Sequence, residues 1–266
     1  MKQVKFITGL MAFGVVSLFA GCGEKENEMT KVTLNEVAHS IFYAPQYVAL
    51  ENGYFTQEGL DLDLVTGYGA DKTMAAVISG EAQIGFMGAE ASVYAYLEGA
   101  NDPVINFAQG TQRAGNFLVA REEMADFQWS DLKGKEVLGG RKGGMPEMVF
   151  EYILKENGLD PAKDLSIDQS IDFGSTAAAF SGGKGEFTVE FEPAATTLEK
   201  NGDGFVVASL GVDSGYVPYT SYSAKTSYVE KTSGDHPGLY RRSAKRSGLC
   251  EFPHGGGDRE GDSATV

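Results

Sequence analysis

Hydrophobic and polar positions follow two periods along the chain, one near two and one near 3.6, and from Val32 onward they take turns. Residues 32–38, with apolar Val32, Leu34 and Val37, predict a short strand, and residues 45–52 predict a helix. Pro45 suits the first helical turn, where its missing N–H costs nothing, and Gly53 stands where a helix C-terminal glycine ends the element. Between them lies His39-Ser40-Ile41-Phe42-Tyr43-Ala44, a loop at the carboxyl end of a strand. Open α/β sheets bind ligands at that edge.

The alternation continues. Residues 60–65 read as a strand, 71–79 as a helix carrying Met74, Ala75, Val77 and Ile78, 83–87 as a buried strand, 91–98 as a helix and 104–108 as a strand. Four strands with intervening helices make one lobe. A second series follows: strands at 116–121 and 136–139, a helix at 146–157, a strand at 165–171, a short helix at 176–180, then strand 187–191, helix 193–201 and strand 205–210. The segment 215–223, with Tyr216, Tyr219 and Tyr222, returns the chain to the first lobe. The pattern is that of an α/β protein, with lobe I at 32–115, lobe II at 116–215 and a return crossover at 216–231.

Composition narrows the setting. With 22 Lys and Arg against 37 Asp and Glu, the net charge is −15, which argues against nucleic acid or an anionic membrane surface as the main partner. Lys2 and Lys5 precede an apolar run from Phe6 to Ala20 that is short for a membrane span, so residues 1–22 read as an export signal. Leu18-Phe19-Ala20-Gly21-Cys22 resembles a bacterial lipobox, with Cys22 as the lipidated residue and 23–31 as a polar tether; an ordinary secretory signal is the alternative. Cys250 is the other cysteine, and a disulfide scaffold is not supported.

Several motifs occur in a fixed order: Tyr43-Ala44-Pro45-Gln46-Tyr47-Val48-Ala49, Gly53-Tyr54-Phe55 with Glu58-Gly59-Leu60, Gly80-Glu81-Ala82-Gln83-Ile84-Gly85, Asp131-Leu132-Lys133-Gly134-Lys135 and Glu190-Phe191-Glu192-Pro193. Over residues 32–231 this ordered set resembles the substrate-binding proteins of bacterial ABC importers. The resemblance is to the branch similar to thiamine-pyrimidine synthase and to nitrate, sulfonate and taurine receptors. It implies a hinged two-lobe periplasmic-binding-protein-like fold of type II with mostly parallel sheets, acting as a monomer without cofactor or metal. It also implies one small molecule held between the lobes and passed to a permease with its ATPase, by closure rather than chemistry. Related synthases use a histidine in the opening loop and a cysteine cluster. Here His39 is displaced toward the strand and residues 32–231 contain no cysteine, so an enzyme is the weaker reading. A sensor or adhesion lipoprotein on the same fold is a third.

Ligand contacts are expected from loops at strand ends of both lobes. In lobe I these are His39, Phe42, Tyr43, Met87, Glu90 and Gln109; Phe42 and Met87 fit core packing equally well. In lobe II, Arg141, Gly143, Gly144 and Met145 belong to a glycine-rich loop that opens a helix, either an N–H surface for an anion or polar edge, or a plain tight turn. Glu190 stands where related receptors often carry an apolar or aromatic residue, and a cleft carboxylate suits a cationic or N–H-rich heterocycle; a solvated strand-end glutamate is the alternative. Tyr219 offers a stacking wall or hinge packing. The favoured ligand is a heteroaromatic such as a thiamine pyrimidine precursor. A sulfonate-type anion, compensated by Arg113, Arg141 and Lys142, is the alternative.

After Lys231 the character changes. Residues 232–266 hold basic pairs and Gly255-Gly256-Gly257 without a helical period, and read as a disordered tail. Codons AAA ACA TCC for residues 231–233, less one A, open a frame that reads as amphipathic helix, so a frameshift is expected here. Sequencing for an A run at codon 231 is the check.

Overall fold

The computed structural model describes residues 29–235. The expected export signal, the lipidated Cys22, all but the last residues of the tether and nearly all of the tail lie outside the described residues. The described part forms two five-stranded sheets.

The first sheet contains β1 (Thr30–Glu36), β2 (Leu60–Thr66), β3 (Ile84–Gly88), β4 (Val104–Thr111) and the late strand β10 (Thr220–Lys225), in the order β2-β1-β3-β10-β4. The second contains β5 (Asn116–Ala120), β6 (Glu136–Leu138), β7 (Ser166–Asp168), β8 (Phe187–Phe191) and β9 (Phe205–Ser209), in the order β7-β6-β8-β5-β9. Both sheets are mixed. β10 pairs antiparallel with β3 and β4, and β5 with β8 and β9, while the other pairings are parallel. In each sheet, then, four strands share a direction and the strand beside a crossover opposes them.

The helices are α1 (Ala44–Glu51), α2 (Tyr54–Gln57), α3 (Ala70–Ser79), α4 (Glu90–Leu97), α5 (Met145–Glu156), α6 (Phe173–Ser181), α7 (Ala194–Asn201), α8 (Leu210–Asp213) and α9 (Thr226–Asp235). Pro45 lies in the first turn of α1, and Gly53 takes a left-handed φ of 66° beyond its C-cap Asn52, a conformation that favours glycine. Helix α9 runs past residue 231, so the boundary expected there falls inside a helix.

Period-two burial divides each sheet into two packed faces. In lobe I, Met74, Val77, Met87, Ala91 and Val104 join α3 and α4 to one face, and Leu34, Tyr43, Phe86 and Tyr222 form the other. In lobe II, Leu118, Val137, Phe150, Ile153, Val189 and Leu210 pack on the α5 and α8 side. Val119, Leu138, Phe180, Ala195 and Leu198 pack on the α6 and α7 side. The chain passes from the first sheet to the second between Thr111 and Asn116 and returns between Asp213 and Thr220. Gly115 sits in the first passage because a Cβ there would come within 2.3 Å of the Phe42 ring.

Candidate functional site

The loop after β1 is anchored from below by a carboxylate. Glu36, with no exposed surface, ends β1 and accepts from Gln46 Nε2 at 3.1 Å, Tyr47 Oη at 2.9 Å and Thr66 Oγ1 at 3.2 Å, with His39 Nδ1 at 2.8 Å. His39 also stacks on Tyr47, with ring centroids 4.5 Å apart, yet its side chain is 65% exposed. It is therefore a surface member of the Glu36 network. Gln46 is held from its other end by the Tyr222 hydroxyl at 3.0 Å, which ties α1 to β10.

From this base the loop reaches across to lobe II. Ser40 Oγ donates to the Glu192 carbonyl at 2.8 Å, and the Phe42 ring lies 6.1 Å from that of Phe191 and edge-on to Tyr219 at 5.8 Å. Tyr43 is buried against Phe86 and bonds the Thr220 side chain; burial raises its pKa.

A second bridge joins the N-termini of α4 and α5. Met145 N–H donates to Glu90 Oε1 at 3.0 Å, and Tyr94 Oη donates to Met148 Sδ at 3.5 Å. Glu90 is buried, so its pKa is raised, partly offset by N–H donors from its own backbone and Met145. Arg141 pairs with Asp71 across the same boundary. That pair is exposed, so removing it with Arg141→Ala is expected to lower stability by only about 0–1 kcal/mol. It should nonetheless loosen the contact between lobes. Resonance energy transfer between dyes on the two lobes checks this, and an unchanged transfer efficiency would show that the pair does not hold the lobes together.

The glycine-rich loop gathers N–H donors as expected, but their acceptors are the chain's own groups. Gly143 N–H goes to the buried Glu147 carboxylate, which Gln169 also donates to, Gly144 N–H goes to the Arg141 carbonyl, and Met145 N–H goes to Glu90. Burial raises Glu147 in the same direction as Glu90.

Four buried side-chain polar atoms have no hydrogen-bond partner among the described residues: Glu90 Oε2, Tyr219 Oη and both amide atoms of Asn116. Tyr219 lies in the field of Glu90 and Tyr43, and its pKa is raised mainly by burial. Asn116, fully buried at the start of β5, stands opposite Phe191 in register. Contacts thus join Phe42 to Tyr43 and Tyr219, and Met145 to Glu90, while Asn116, which the sequence did not single out, stands opposite Phe191, the ring that Phe42 faces.

Other expected contacts lie elsewhere. Met87 is fully buried in the lobe I core beside Val77. Gln109 is exposed and donates to the Thr111 carbonyl of its own strand at 3.2 Å. Glu190 is opposite Phe117, one residue out of step with Asn116, and so faces α6 and α7. It accepts from Thr188 Oγ1 at 2.7 Å, and burial pushes it up to about 7 against hydroxyls of Thr188 and Thr176 that lower it. Arg113 donates to the Gly211 carbonyl at 2.8 Å and lies over the Tyr216 ring, and Lys142 is exposed.

Comparison with known proteins agrees with this architecture. The candidate binding protein YtlA of Bacillus subtilis (strain 168) is 53% identical over 212 residues, covering 80% of this chain and 63% of YtlA. The chain therefore spans less than two thirds of that relative. The periplasmic aliphatic sulphonate binding protein SsuA from Escherichia coli superposes with a TM-score of 0.65 at 17% identity, covering 82% of this chain and 73% of SsuA. The periplasmic nitrate-binding protein NrtA from Synechocystis PCC 6803 gives 0.62 at 16% identity, covering 77% and 57%. At those identities the two structures speak for the two-lobe fold alone. The family described as NMT1/THI5 like matches residues 41–231, most of the chain, and the chain belongs to that family.

Proposed function

We propose that the chain is the extracytoplasmic substrate-binding protein of an ABC importer, holding a small heteroaromatic molecule of the thiamine pyrimidine precursor type between its lobes. In this reading the segment 1–22 exports it, lipid on Cys22 holds it at the bacterial membrane, and a permease with its ATPase receives the ligand. One observation carries the reading: Glu90, Asn116 and Tyr219 keep unpartnered buried polar atoms among the described residues, Glu90 and Tyr219 at contacts that join the lobes and Asn116 opposite Phe191, the ring that Phe42 faces. Buried polar groups are normally bonded, and a polar ligand supplies the missing partners.

The charges favour this class over a sulfonate. The buried Glu90 and Glu147 already take the α5 loop donors, Arg141 is paired with Asp71, and Arg113 is turned to Gly211 and Tyr216. Among the described residues the exposed Lys142, whose charge acts on Glu147, is the cation left to an anion there, against the carboxylates of Glu90 and Glu147. Melting of the whole chain with 4-amino-5-hydroxymethyl-2-methylpyrimidine and with taurine tests the reading. The pyrimidine is expected to stabilise the protein by about 2.7 kcal/mol at roughly 100 times Kd, a rise of several degrees. Stabilisation by taurine alone would overturn it.

A further inference from the structure

Asn116 differs from the other unpartnered residues in one respect. Glu90 and Tyr219 each leave a single atom unbonded, whereas Asn116 leaves both its donor and its acceptor, on a side chain with no exposure. Its strand face is otherwise apolar, since Leu118 and Ala120 continue it into the lobe II core. Nothing in the packing calls for an amide there, and leucine would be the expected occupant. An enclosed amide without partners destabilises the protein that holds it.

We propose that Asn116 is the specificity-determining residue of the interlobe site, its amide pairing with a ligand edge on which a hydrogen-bond donor and an acceptor lie side by side. A 4-aminopyrimidine has such an edge: its ring nitrogen takes the Asn116 N–H and its exocyclic amine donates to Oδ1. The planar amide is suited to bidentate pairing of this kind. Phe191, opposite Asn116 in register, and Phe42, 6.1 Å from it, offer apolar faces to the ring of such a ligand. A sulfonate presents acceptors only and would leave Oδ1 unsatisfied. The inference rests on the interlobe ligand reading and narrows its chemistry.

The experiment uses the whole chain and three probes: 4-amino-2-methylpyrimidine, 2,4-dimethylpyrimidine, in which a methyl replaces the amine, and methanesulfonate. The wild type is expected to bind the amino probe about tenfold or more tightly than the dimethyl one, the loss expected when a site's polar groups go unpaired. Asn116→Leu should erase that preference while holding or raising the melting temperature of the ligand-free protein, because it removes the unpaired amide. Asn116→Ser, smaller and unable to overpack, should lose the preference too. Unchanged preference in both variants, with the wild type binding the amino probe, would overturn the role of Asn116 and leave the cleft reading standing. Loss of ligand-free stability in Asn116→Leu together with loss of binding would assign the residue a structural role instead. Binding of methanesulfonate alone, or of none of the probes, would overturn both.

Discussion

Glu36→Ala is expected to lower the stability of the protein by about 3–5 kcal/mol, a drop in melting temperature on the order of 10 °C. Glu36 is fully buried and is the common acceptor for Gln46, Tyr47, Thr66 and His39. Its removal strands the buried amide of Gln46, and each buried donor left without an acceptor costs about 1–3 kcal/mol. The loss travels further because Gln46 also holds Tyr222 of β10, the strand that returns from lobe II. His39→Ala should by contrast cost little, since that ring is mostly exposed and leaves the other three donors in place. Urea unfolding of the two variants is the measurement. A Glu36→Ala loss below about 1 kcal/mol would show that the network contributes packing rather than bonding.

The same network shows what the sequence could and could not reveal. Residues 187–191 were legible to the residue because a buried run lies between Gly185 and Pro193, both strong turn signals. β10 was legible only as a return segment. Thr220-Ser221-Tyr222-Ser223-Ala224-Lys225 lacks apolar alternation, yet it sits between β3 and β4 and is almost wholly buried. What permits this is Asn106, whose Oδ1 accepts from Ser221 at 2.9 Å and Ser223 at 2.6 Å. A polar strand of small residues becomes a core strand only when a distant side chain satisfies its hydroxyls. No local pattern announces that.

The site divides along the same line. The opening loop is visible from its place after a strand, and the structure does set Phe42 against the other lobe, while Tyr43 packs on Phe86 of its own sheet. Glu36, three residues before His39, passed unmarked because an acidic residue near a strand end reads as solvated. Asn116 passed for a similar reason, since asparagine at a strand start reads as turn chemistry. Burial without a partner is a property of the assembled lobes.

Glu190 carries the second large expectation, a stability that falls as pH rises. Burial on the α6 and α7 side of the second sheet holds its pKa at about 7, against 4.5 for an ordinary glutamate. Between those values the folded protein keeps a proton that the unfolded chain gives up, so stability is fully present below pH 4.5 and declines as pH rises through 7. The difference across the window is about 3 kcal/mol. Glu90 and Glu147, raised by burial in the same direction, slope the same way. Asp168, held near 2 by hydrogen bonds from Lys184 and Ser170, loses its contribution only as pH falls through that value, outside this window. Glu190→Gln keeps the size of the side chain and an oxygen for the Thr188 hydroxyl but cannot ionise. The variant should match the wild type near pH 4.5, exceed it by about 2–3 kcal/mol at pH 8 and show a flatter profile between. Parallel profiles for the two proteins would mean that Glu190 already ionises in the folded state near its ordinary pKa, with water or a rearranged helix α6 taking up the charge.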